Sequence, residues 1–310
     1  MQFSIYQQSH IGGRKVNQDR MGYCFTRDAL LLVLADGMGG HLRGEIAATI
    51  ATQTLSMMFQ QQARPAIHKP ERFLEEALQQ AHLDILRYAQ SHQMPDTPRT
   101  TVVACLVQHN CALWAHCGDS RLYWLRRGQL LARTRDHSHI EYLIERGRAQ
   151  ESERHTHPDR NKLYNCLGAS AEPRIELSRQ AVLAPGDVLM LCSDGLWGTL
   201  PDTEIAHQLS TQSVVCAVPD MVAMAAAIGG AKADNTTALA ITWEGEGEPG
   251  AGEESVISTR MLADGQVNTT IAATPAEAAP GEADPFDEAE IEKAIAEIRD
   301  AIEKSSQLLK

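Results

Sequence analysis

Leu30-Leu31-Leu32-Val33-Leu34-Ala35 is an unbroken apolar run that ends in Asp36-Gly37, and Val188-Leu189-Met190-Leu191-Cys192 is a second that ends in Ser193-Asp194-Gly195. A short apolar run bounded by a turn dipeptide predicts a β-strand. Each of the two predicted strands therefore delivers an aspartate to its end.

Two further aspartates stand at the starts of predicted strands, since Asp19 precedes residues 20–25 and Asp234 precedes residues 237–243. If the strands pair antiparallel, the end of one lies beside the start of the next, about 4.8 Å away. Clustered carboxylates repel one another unless cations separate them, and an all-oxygen cluster selects Mg²⁺ or Mn²⁺. A single Asp-Gly pair is more often a turn than a ligand, so the metal prediction depends on the joint pattern.

The charge of the 310-residue chain is unevenly distributed. The formal net charge is −12. Residues 244–310 hold 16 acidic and 5 basic side chains, whereas 24 acidic and 23 basic residues precede them. The first 243 residues are thus nearly neutral, and the absence of a basic patch argues against nucleic acid as a partner.

Cysteines and apolar runs indicate the compartment. The seven cysteines are odd in number, include no Cys-x-x-Cys, and are typical of reduced core residues. The N-terminal residues lack the pattern of a secretory signal, and we find no apolar run near the ~20 residues that a membrane span needs. We expect a cytoplasmic protein without membrane insertion.

The clearest boundary follows Trp243 and leaves a domain over residues 1–243. Residues 244–283 are rich in Gly, Glu, Ala, Pro and Thr, which predicts an acidic disordered linker. Residues 284–310 predict an amphipathic helix with isoleucines at positions 291, 295, 298 and 302. Such a narrow stripe is marginal alone, so the helix either docks on its own domain or a partner protein, or is a tolerated appendage.

Hairpins and helices alternate before Trp243. This order predicts antiparallel sheets with segregated helices, an α+β layered domain. Strands are predicted at 20–26, 30–35, 101–107, 112–117, 121–126 and 129–133, and helices at 44–62, 70–90, 139–146, 202–209 and 220–228.

Wider motifs surround the aspartates, and residues 4–243 resemble the bacterial branch of the metal-dependent type-2C (PPM) serine/threonine protein phosphatases. The ordered set, rather than any one motif, makes the resemblance specific. The motifs are Arg14-Lys15-Val16-Asn17-Gln18-Asp19, Ala35-Asp36-Gly37-Met38-Gly39-Gly40-His41, Gly118-Asp119-Ser120-Arg121, Thr134-Arg135-Asp136-His137-Ser138, Ser193-Asp194-Gly195-Leu196-Trp197 and Asp234-Asn235-Thr236-Thr237.

The resemblance implies a sandwich of two antiparallel β-sheets flanked by helices on both outer faces (αββα), with a binuclear Mn²⁺ or Mg²⁺ centre. By motif position, Arg14 would hold the substrate phosphate. The implied metal ligands are Asp19, Asp36 as the bridge, the Gly37 carbonyl, Asp194 and Asp234, with Asp119 helping to bind a third, weaker ion.

The chemistry follows from these parts. A water bridging two divalent cations loses its proton near neutral pH and attacks phosphorus in line, while the cations and Arg14 offset charge on the phosphoryl oxygens. Eukaryotic members often carry a histidine where this chain has Met38. His41 or a metal-bound water would then protonate the leaving oxygen. The simpler interpretation is that His41 is a loop residue without a chemical role.

One departure from the family pattern affects the predicted site, and two histidine pairs raise the question of a second site. Gln18 stands where many family members have glutamate, which lowers the negative charge of the site and predicts a raised metal requirement. The His-x-His pairs at 137–139 and 155–157 suggest zinc, but no cysteine ligands are near, and exposed loop histidines are favoured.

We expect hydrolysis of phosphoserine and phosphothreonine on cytoplasmic phosphoproteins, opposing a cognate bacterial Ser/Thr kinase. Bacterial relatives of this compact form serve such switches, including control of type VI secretion. One alternative is a regulatory binding module that kept the fold and lost turnover, which the intact aspartates disfavour. Another is a two-metal nuclease, which the nearly neutral domain disfavours.

Overall fold

Two antiparallel sheets and six helices make up the described part of the chain. The computed structural model describes residues 1–38, 43–154, 157–160, 162–246 and 268–271. The strands are β1 Gln2–His10, β2 Asp19–Phe25, β3 Ala29–Asp36, β4 Val102–Gln108, β5 Cys111–Cys117, β6 Arg121–Arg126, β7 Gln129–Arg133, β8 Glu176–Leu177, β9 Ala181–Val182, β10 Val188–Cys192, β11 Thr236–Gly245 and β12 Asn268–Thr269. The helices are α1 Gly44–Gln62, α2 Pro70–Ser91, α3 His139–Glu145, α4 Asp194–Trp197, α5 Asp202–Thr211 and α6 Val214–Gly229.

The order of strands puts the predicted aspartates on two different sheets. One sheet runs β1-β11-β10-β6-β7, and the other runs β12-β2-β3-β4-β5-β8, with β9 beside β5. Strand β2 pairs antiparallel with β3 from Asp19 opposite Asp36 to Phe25 opposite Leu30. Strand β10 likewise pairs antiparallel with β11. The open ends of both hairpin-like pairs can therefore meet at one rim.

Three hydrophobic cores separate four layers. Leu30, Leu32 and Leu34 point into the core between the sheets, whereas Leu31 and Val33 point into the core under α1 and α2. A third core lies between the β10 sheet and helices α4, α5 and α6. Because β3 is covered on both faces, it shows no apolar–polar alternation, and this accounts for its unbroken apolar run. The predicted αββα sandwich is confirmed.

The main helices and strands lie where they were predicted, with two differences. Strand β1 was not predicted, because its mixed sequence is half-buried beside β11 and carries no strong periodicity. Helix α6 begins at Val214 rather than near residue 220 and includes Pro219. The stretch Val214–Lys232 is long and apolar enough to cross a membrane by length and composition, with mean hydropathy 1.8. The apolar face of α6 packs in the domain core, which accounts for its composition.

The predicted disordered linker, residues 244–283, needs correction at two places. Strand β11 continues to Gly245, and residues 268–269 form β12 against β2. The composition of residues 244–283 did not indicate β12. Its backbone hydrogen bonds and the burial of Ile271 depend on the edge of β2, which is distant in the sequence. The predicted helix 284–310 lies outside the described residues.

Candidate metal centre

Four of the predicted aspartates lie at one rim of the sandwich, two from each sheet. Asp19 begins β2 directly opposite Asp36 at the end of β3. Asp194 begins α4 immediately after β10, and Asp234 lies two residues before β11. The hydroxyl of Ser193 donates to Asp19 Oδ2 at 2.8 Å and so joins the rims of the two sheets.

The direction and causes of the pKa shifts indicate that the rim carboxylates lie near one another. Burial first, and then the charges of Asp19, Asp194, Asp119 and Asp234, hold the pKa of Asp36 well above its ordinary value. Asp119 thus belongs to the same group, although it comes from the loop after β5. We call these five residues the rim cluster. The structure brings together all five aspartates that the sequence predicted.

The rim cluster has a deficit of positive charge that a cation would fill. Burial and neighbouring carboxylates raise the pKa of Asp194 to about 7, and burial raises the pKa of Asp19. Burial, with the charge of Asp194 next, also holds the pKa of Asp119 well above its ordinary value. Asp19 Oδ1 is buried and accepts no hydrogen bond from the described residues. Oxygen donors crowded in this way fit hard divalent ions.

Arg14 lies at the edge of the rim cluster, where it pairs with one of its members. Its Nε donates to Asp234 Oδ1 at 2.8 Å, and its Nη2 donates to Asp234 Oδ2 at 2.6 Å. This hydrogen bonding raises the pKa of Arg14, and the charges of Asp194 and Asp36 act in the same direction. The half-exposed guanidinium is therefore held beside the carboxylates, within reach of a ligand that approaches the rim.

The backbone at the end of β3 is fixed by groups that the sequence motifs did not identify. The Thr101 amide and the Thr100 hydroxyl both donate to the Asp36 carbonyl at 2.9 Å. A Cβ on Gly37 would lie 2.3 Å from the Gly44 carbonyl oxygen, so only glycine allows α1 to begin this close to Asp36. His41 lies outside the described residues.

Gln18 has a partner that explains its amide. Its Nε2 donates to Glu45 Oε2 at 2.9 Å. A glutamate at position 18 would place two carboxylates together, whereas the amide makes a hydrogen bond. The Gln18 side chain is neutral, and Glu45, in the first turn of α1, supplies a negative charge beside it. Sequence reasoning missed Glu45, because only the fold brings it to Gln18.

A fully paired set of charges lies behind the rim. The guanidinium of Arg121 donates in bidentate fashion to Asp136 at 2.8 and 2.7 Å, and both side chains are only 1% exposed. Arg121 Nη1 also donates to the Tyr123 hydroxyl, which in turn donates to Asp202 at 2.8 Å. Arg121, Asp136, Tyr123 and Asp202, together with Trp197, are called the buried network below.

Trp197 connects the buried network to the rim cluster. Its ring lies 3.6 Å from the Arg121 guanidinium carbon, a cation–π contact. Its Nε1 donates to the Asp119 carbonyl at 2.9 Å. Trp197 therefore fixes the backbone at Asp119, and Arg121 packs against the ring of Trp197 from behind.

A second group of possible ligands is not built for an ion. The ligand atoms of His116, His137 and Glu176 lie within 4.8 Å of one another. However, Gly118 N–H and Asn165 Nδ2–H both donate to His137 Nδ1, at 3.1 and 2.7 Å. The proton of His137 therefore resides on Nε2, 3.3 Å from Glu176, and leaves no lone pair for a metal. The group instead braces Gly118, the neighbour of Asp119.

Comparison with known proteins agrees with this site. The family model described as Protein phosphatase 2C matches residues 6–228. The serine/threonine phosphatase stp of Listeria monocytogenes is 31% identical over 232 residues, which cover 74% of this chain and 90% of that protein. PstP of Mycobacterium tuberculosis is 33% identical over 214 residues, 68% of this chain and 40% of that longer protein.

Solved structures show the same relationship. The structure of Stp1 from Staphylococcus aureus has a TM-score of 0.72 and 28% identity, and covers 79% of this chain and 96% of its own. The catalytic domain of PstP, solved with 2 manganese ions, has a TM-score of 0.66 and 28% identity, covering 77% of this chain and 97% of its own. The chain therefore belongs to the protein phosphatase 2C family and is a metal-dependent serine/threonine protein phosphatase.

Proposed function

We propose that the rim cluster is the catalytic centre of a phosphatase domain over residues 1–243. Asp19, Asp36, Asp194 and Asp234 would hold a pair of Mn²⁺ or Mg²⁺ ions, directly or through waters. Asp119 helps to hold a third ion. The observation that supports this proposal is the convergence of five carboxylates at one rim, where burial and neighbouring carboxylates raise the pKa values of Asp19, Asp36, Asp119 and Asp194. Such a group becomes stable as ionised ligands only with bound cations.

The Gly37 carbonyl is proposed as a further ligand. It belongs to the backbone corner that the Gly44 contact and the Asp36 hydrogen bonds from Thr100 and Thr101 fix in place. A fixed corner holds its donors without reorganisation when ligands bind, which favours both affinity and precise orientation.

The chemistry divides between the ions and the chain. When bound, the divalent cations supply charge neutralisation and make a water molecule acidic enough to attack phosphorus. The chain contributes Arg14, whose planar guanidinium matches two phosphoryl oxygens, as it now matches the two oxygens of Asp234. The Arg14 guanidinium, which pairs with Asp234 in this structure, would bind the substrate phosphate when Asp234 serves as a metal ligand. His41 stays a prediction as the proton donor to the leaving oxygen.

The substrates are phosphoproteins, and the proposed chemistry removes phosphate from their serine and threonine side chains. We propose that a cognate Ser/Thr kinase adds those phosphates in the same cytoplasm. One structural neighbour, at 29% identity and a TM-score of 0.63, is described as PppA, a key regulatory component of the type VI secretion system in Pseudomonas aeruginosa. This neighbour supports a regulatory role for the chain, and the pairing with a kinase is our own proposal. Residues 284–310 remain a proposed docking helix for a partner protein.

The experiment compares full-length protein with its Asp36→Asn and Asp220→Asn variants on a phosphothreonine peptide and on DNA. Asp220 is an exposed carboxylate of α6 and serves as the matched control. We expect hydrolysis of the peptide that chelator removes and Mn²⁺ restores, that persists in Asp220→Asn, and that is lost in Asp36→Asn. Peptide binding without hydrolysis in wild-type protein would indicate a regulatory module, and cleavage of DNA instead would indicate a nuclease.

A further inference from the structure

The edge of strand β2 is covered by a short piece of the C-terminal region. Residues 268 and 269 pair antiparallel with Phe25 and Cys24. Beyond that pair, the Thr270 amide donates to the Tyr23 carbonyl at 3.0 Å, and the Tyr23 amide donates to the Thr270 hydroxyl at 3.0 Å. Without this segment, β2 would be the outer strand of its sheet and would leave these backbone groups unpaired.

Gly22 forms a slot in that edge. Glycine inside a strand weakens it and often marks the close approach of another chain segment. A Cβ on Gly22 would lie 2.4 Å from Ile271 Cγ1 and 3.0 Å from the Thr270 hydroxyl. Ile271 enters the slot, is only 6% exposed, and joins the core formed by β2, β3 and the two long helices.

Thr269 gives the segment its shape. Its hydroxyl lies 3.0 Å from Cys24 Sγ and accepts a hydrogen bond from the Ile271 amide at 2.9 Å. The turn closed by this bond directs Ile271 back toward Gly22. Backbone pairing, a side-chain slot and a hydroxyl contact therefore all recognise the same four residues, which is the mode of recognition by strand addition.

We propose that the edge of β2 from Gly22 to Phe25 is a peptide-binding site, occupied by residues 268–271 of the same chain. The ligand class is an extended segment in which two hydroxyl residues precede a β-branched apolar residue. This site is separate from the proposed catalytic roles and does not depend on them. Residues 247–267 connect β11 to the segment, and a chain of that length spans up to about 70 Å, enough to return to β2.

Occupancy of the site has two consequences. Strand β2 begins at Asp19, so the bound segment stabilises the strand that carries a rim carboxylate. The segment also fixes the start of the last 39 residues, 272–310, beside the α1 side of the domain.

Disulfide trapping in full-length protein tests the proposal. Thr269 is directly opposite Cys24 in the antiparallel pair, so the Thr269→Cys variant should form an intramolecular disulfide with Cys24 under mild oxidation. Thr211→Cys is the matched control, because this exposed threonine at the end of α5 lies in the helical layer on the other side of the sandwich from Cys24 and should not link to it. An unlinked Thr269→Cys variant would overturn the proposal. A link to Cys24 of a second molecule would assign the slot to another copy and overturn occupancy in cis.

Hydrogen–deuterium exchange measures the same contact without oxidation. Ile271→Asp places a charge in the apolar slot, so the Tyr23 amide should exchange at least about tenfold faster. Ile228→Asp changes an isoleucine that is 64% exposed and should leave the exchange of β2 unaltered. Adding a synthetic peptide of residues 264–275 to the Ile271→Asp protein should restore protection, whereas the same peptide with Ile271→Asp should not. Unchanged exchange at Tyr23 in the Ile271→Asp protein would contradict the proposal.

Discussion

The rim cluster and the buried network are neighbours built from the same sequence motifs, yet they balance charge in opposite ways. In the buried network, the Arg121 guanidinium matches the Asp136 carboxylate atom for atom, with Tyr123 and Trp197 completing its contacts. In the rim cluster, five carboxylates face one another, and Arg14 at its edge pairs with Asp234. A buried charge that is paired with an opposite charge of the chain stabilises the fold. A group of like charges without such partners is suited to bind ions.

The difference shows which motif residues act on a ligand. Asp119 and Asp136 follow β5 and β7, and each belongs to a motif that resembles the family. Asp136 has a bidentate arginine partner, whereas Asp119 faces Asp194, and its pKa is raised well above the ordinary value. The partner of a buried acid, rather than its burial or its motif, therefore indicates its role.

The largest effect should come from removing one carboxylate of the rim cluster. Asp194→Asn should lower phosphopeptide hydrolysis by about 1,000-fold, because a bound metal contributes several kcal/mol and each ~1.4 kcal/mol is tenfold. The same substitution removes a repulsive charge, so metal-free protein should melt at an equal or higher temperature near neutral pH. Steady-state kinetics and calorimetry on the same samples measure both; lower metal-free stability would contradict the contrast with the buried network.

Breaking the buried network should mainly reduce stability. Arg121→Met removes the bidentate partner of the buried Asp136, whose Oδ1 then keeps the longer 3.9 Å ion pair with Arg133 Nη1, and should lower the free energy of unfolding by about 3–5 kcal/mol in urea denaturation. The double variant Arg121→Met/Asp136→Leu removes the charge as well and should regain a large part of that loss. If the double variant is no more stable than the single one, the pairing does not explain the network.

Arg14 should affect substrate binding rather than folding. Arg14→Ala removes a bidentate charged contact worth about 1.5–3 kcal/mol, so kcat/KM for a phosphothreonine peptide should fall by about 10- to 100-fold. Arg14→Lys keeps the charge without the planar geometry, and its kcat/KM should lie between those of the wild type and Arg14→Ala. Kinetics with saturating Mn²⁺ make this measurement. A lysine variant equal to wild type would argue against bidentate binding.

The stability of metal-free protein should depend on pH with a definite sign. A carboxylate whose folded pKa is raised contributes its stability below the unfolded pKa, about 3.9, and loses it as the pH rises through the folded value. For Asp194 that loss extends to about pH 7. Chelator-treated protein should therefore melt higher at about pH 5 than at about pH 8, and Mn²⁺ should raise the melting temperature more at the higher pH. Equal melting temperatures without metal would contradict the raised pKa values.

The smallest effect should come from Gln18. Gln18→Glu adds a carboxylate beside Glu45, so the Mn²⁺ concentration for half-maximal activity should fall by roughly two- to tenfold. The exchanged pair, Gln18→Glu/Glu45→Gln, restores one amide and one carboxylate and should return close to the wild-type value. A Mn²⁺ titration that does not distinguish Gln18→Glu from wild type would remove Gln18 as the cause of a raised metal requirement.

The antiparallel strands and four of the rim aspartates followed from local patterns in the sequence, whereas the two-sheet sandwich and Asp119 followed from the family resemblance. Apolar runs such as residues 30–35 indicate strands, and an aspartate at a strand end keeps its position whatever the detailed packing. The two halves of the rim cluster, Asp19 with Asp36 and Asp194 with Asp234, therefore needed only antiparallel pairing to converge.

Contacts between distant segments were not accessible in this way. The hydrogen bond from Gln18 to Glu45 and the fit of Ile271 beside Gly22 join residues whose local sequences carry no sign of a partner. The structural role of Arg121 was recognised from its bidentate contact with Asp136. The motif would look the same in the sequence if Arg121 contacted a ligand instead. Such contacts depend on how charges and side-chain volumes from distant segments match in the folded protein.

The most direct test of the central claim counts bound metal and activity together. Full-length protein is stripped with chelator and titrated with Mn²⁺ while bound ions and phosphopeptide hydrolysis are measured in parallel. We predict that hydrolysis is absent without metal and returns as a pair of ions binds, and that Asp36→Asn loses both. Hydrolysis that persists in stripped protein, or Asp36→Asn protein that binds the pair as tightly as wild type, would contradict the assignment of the rim cluster.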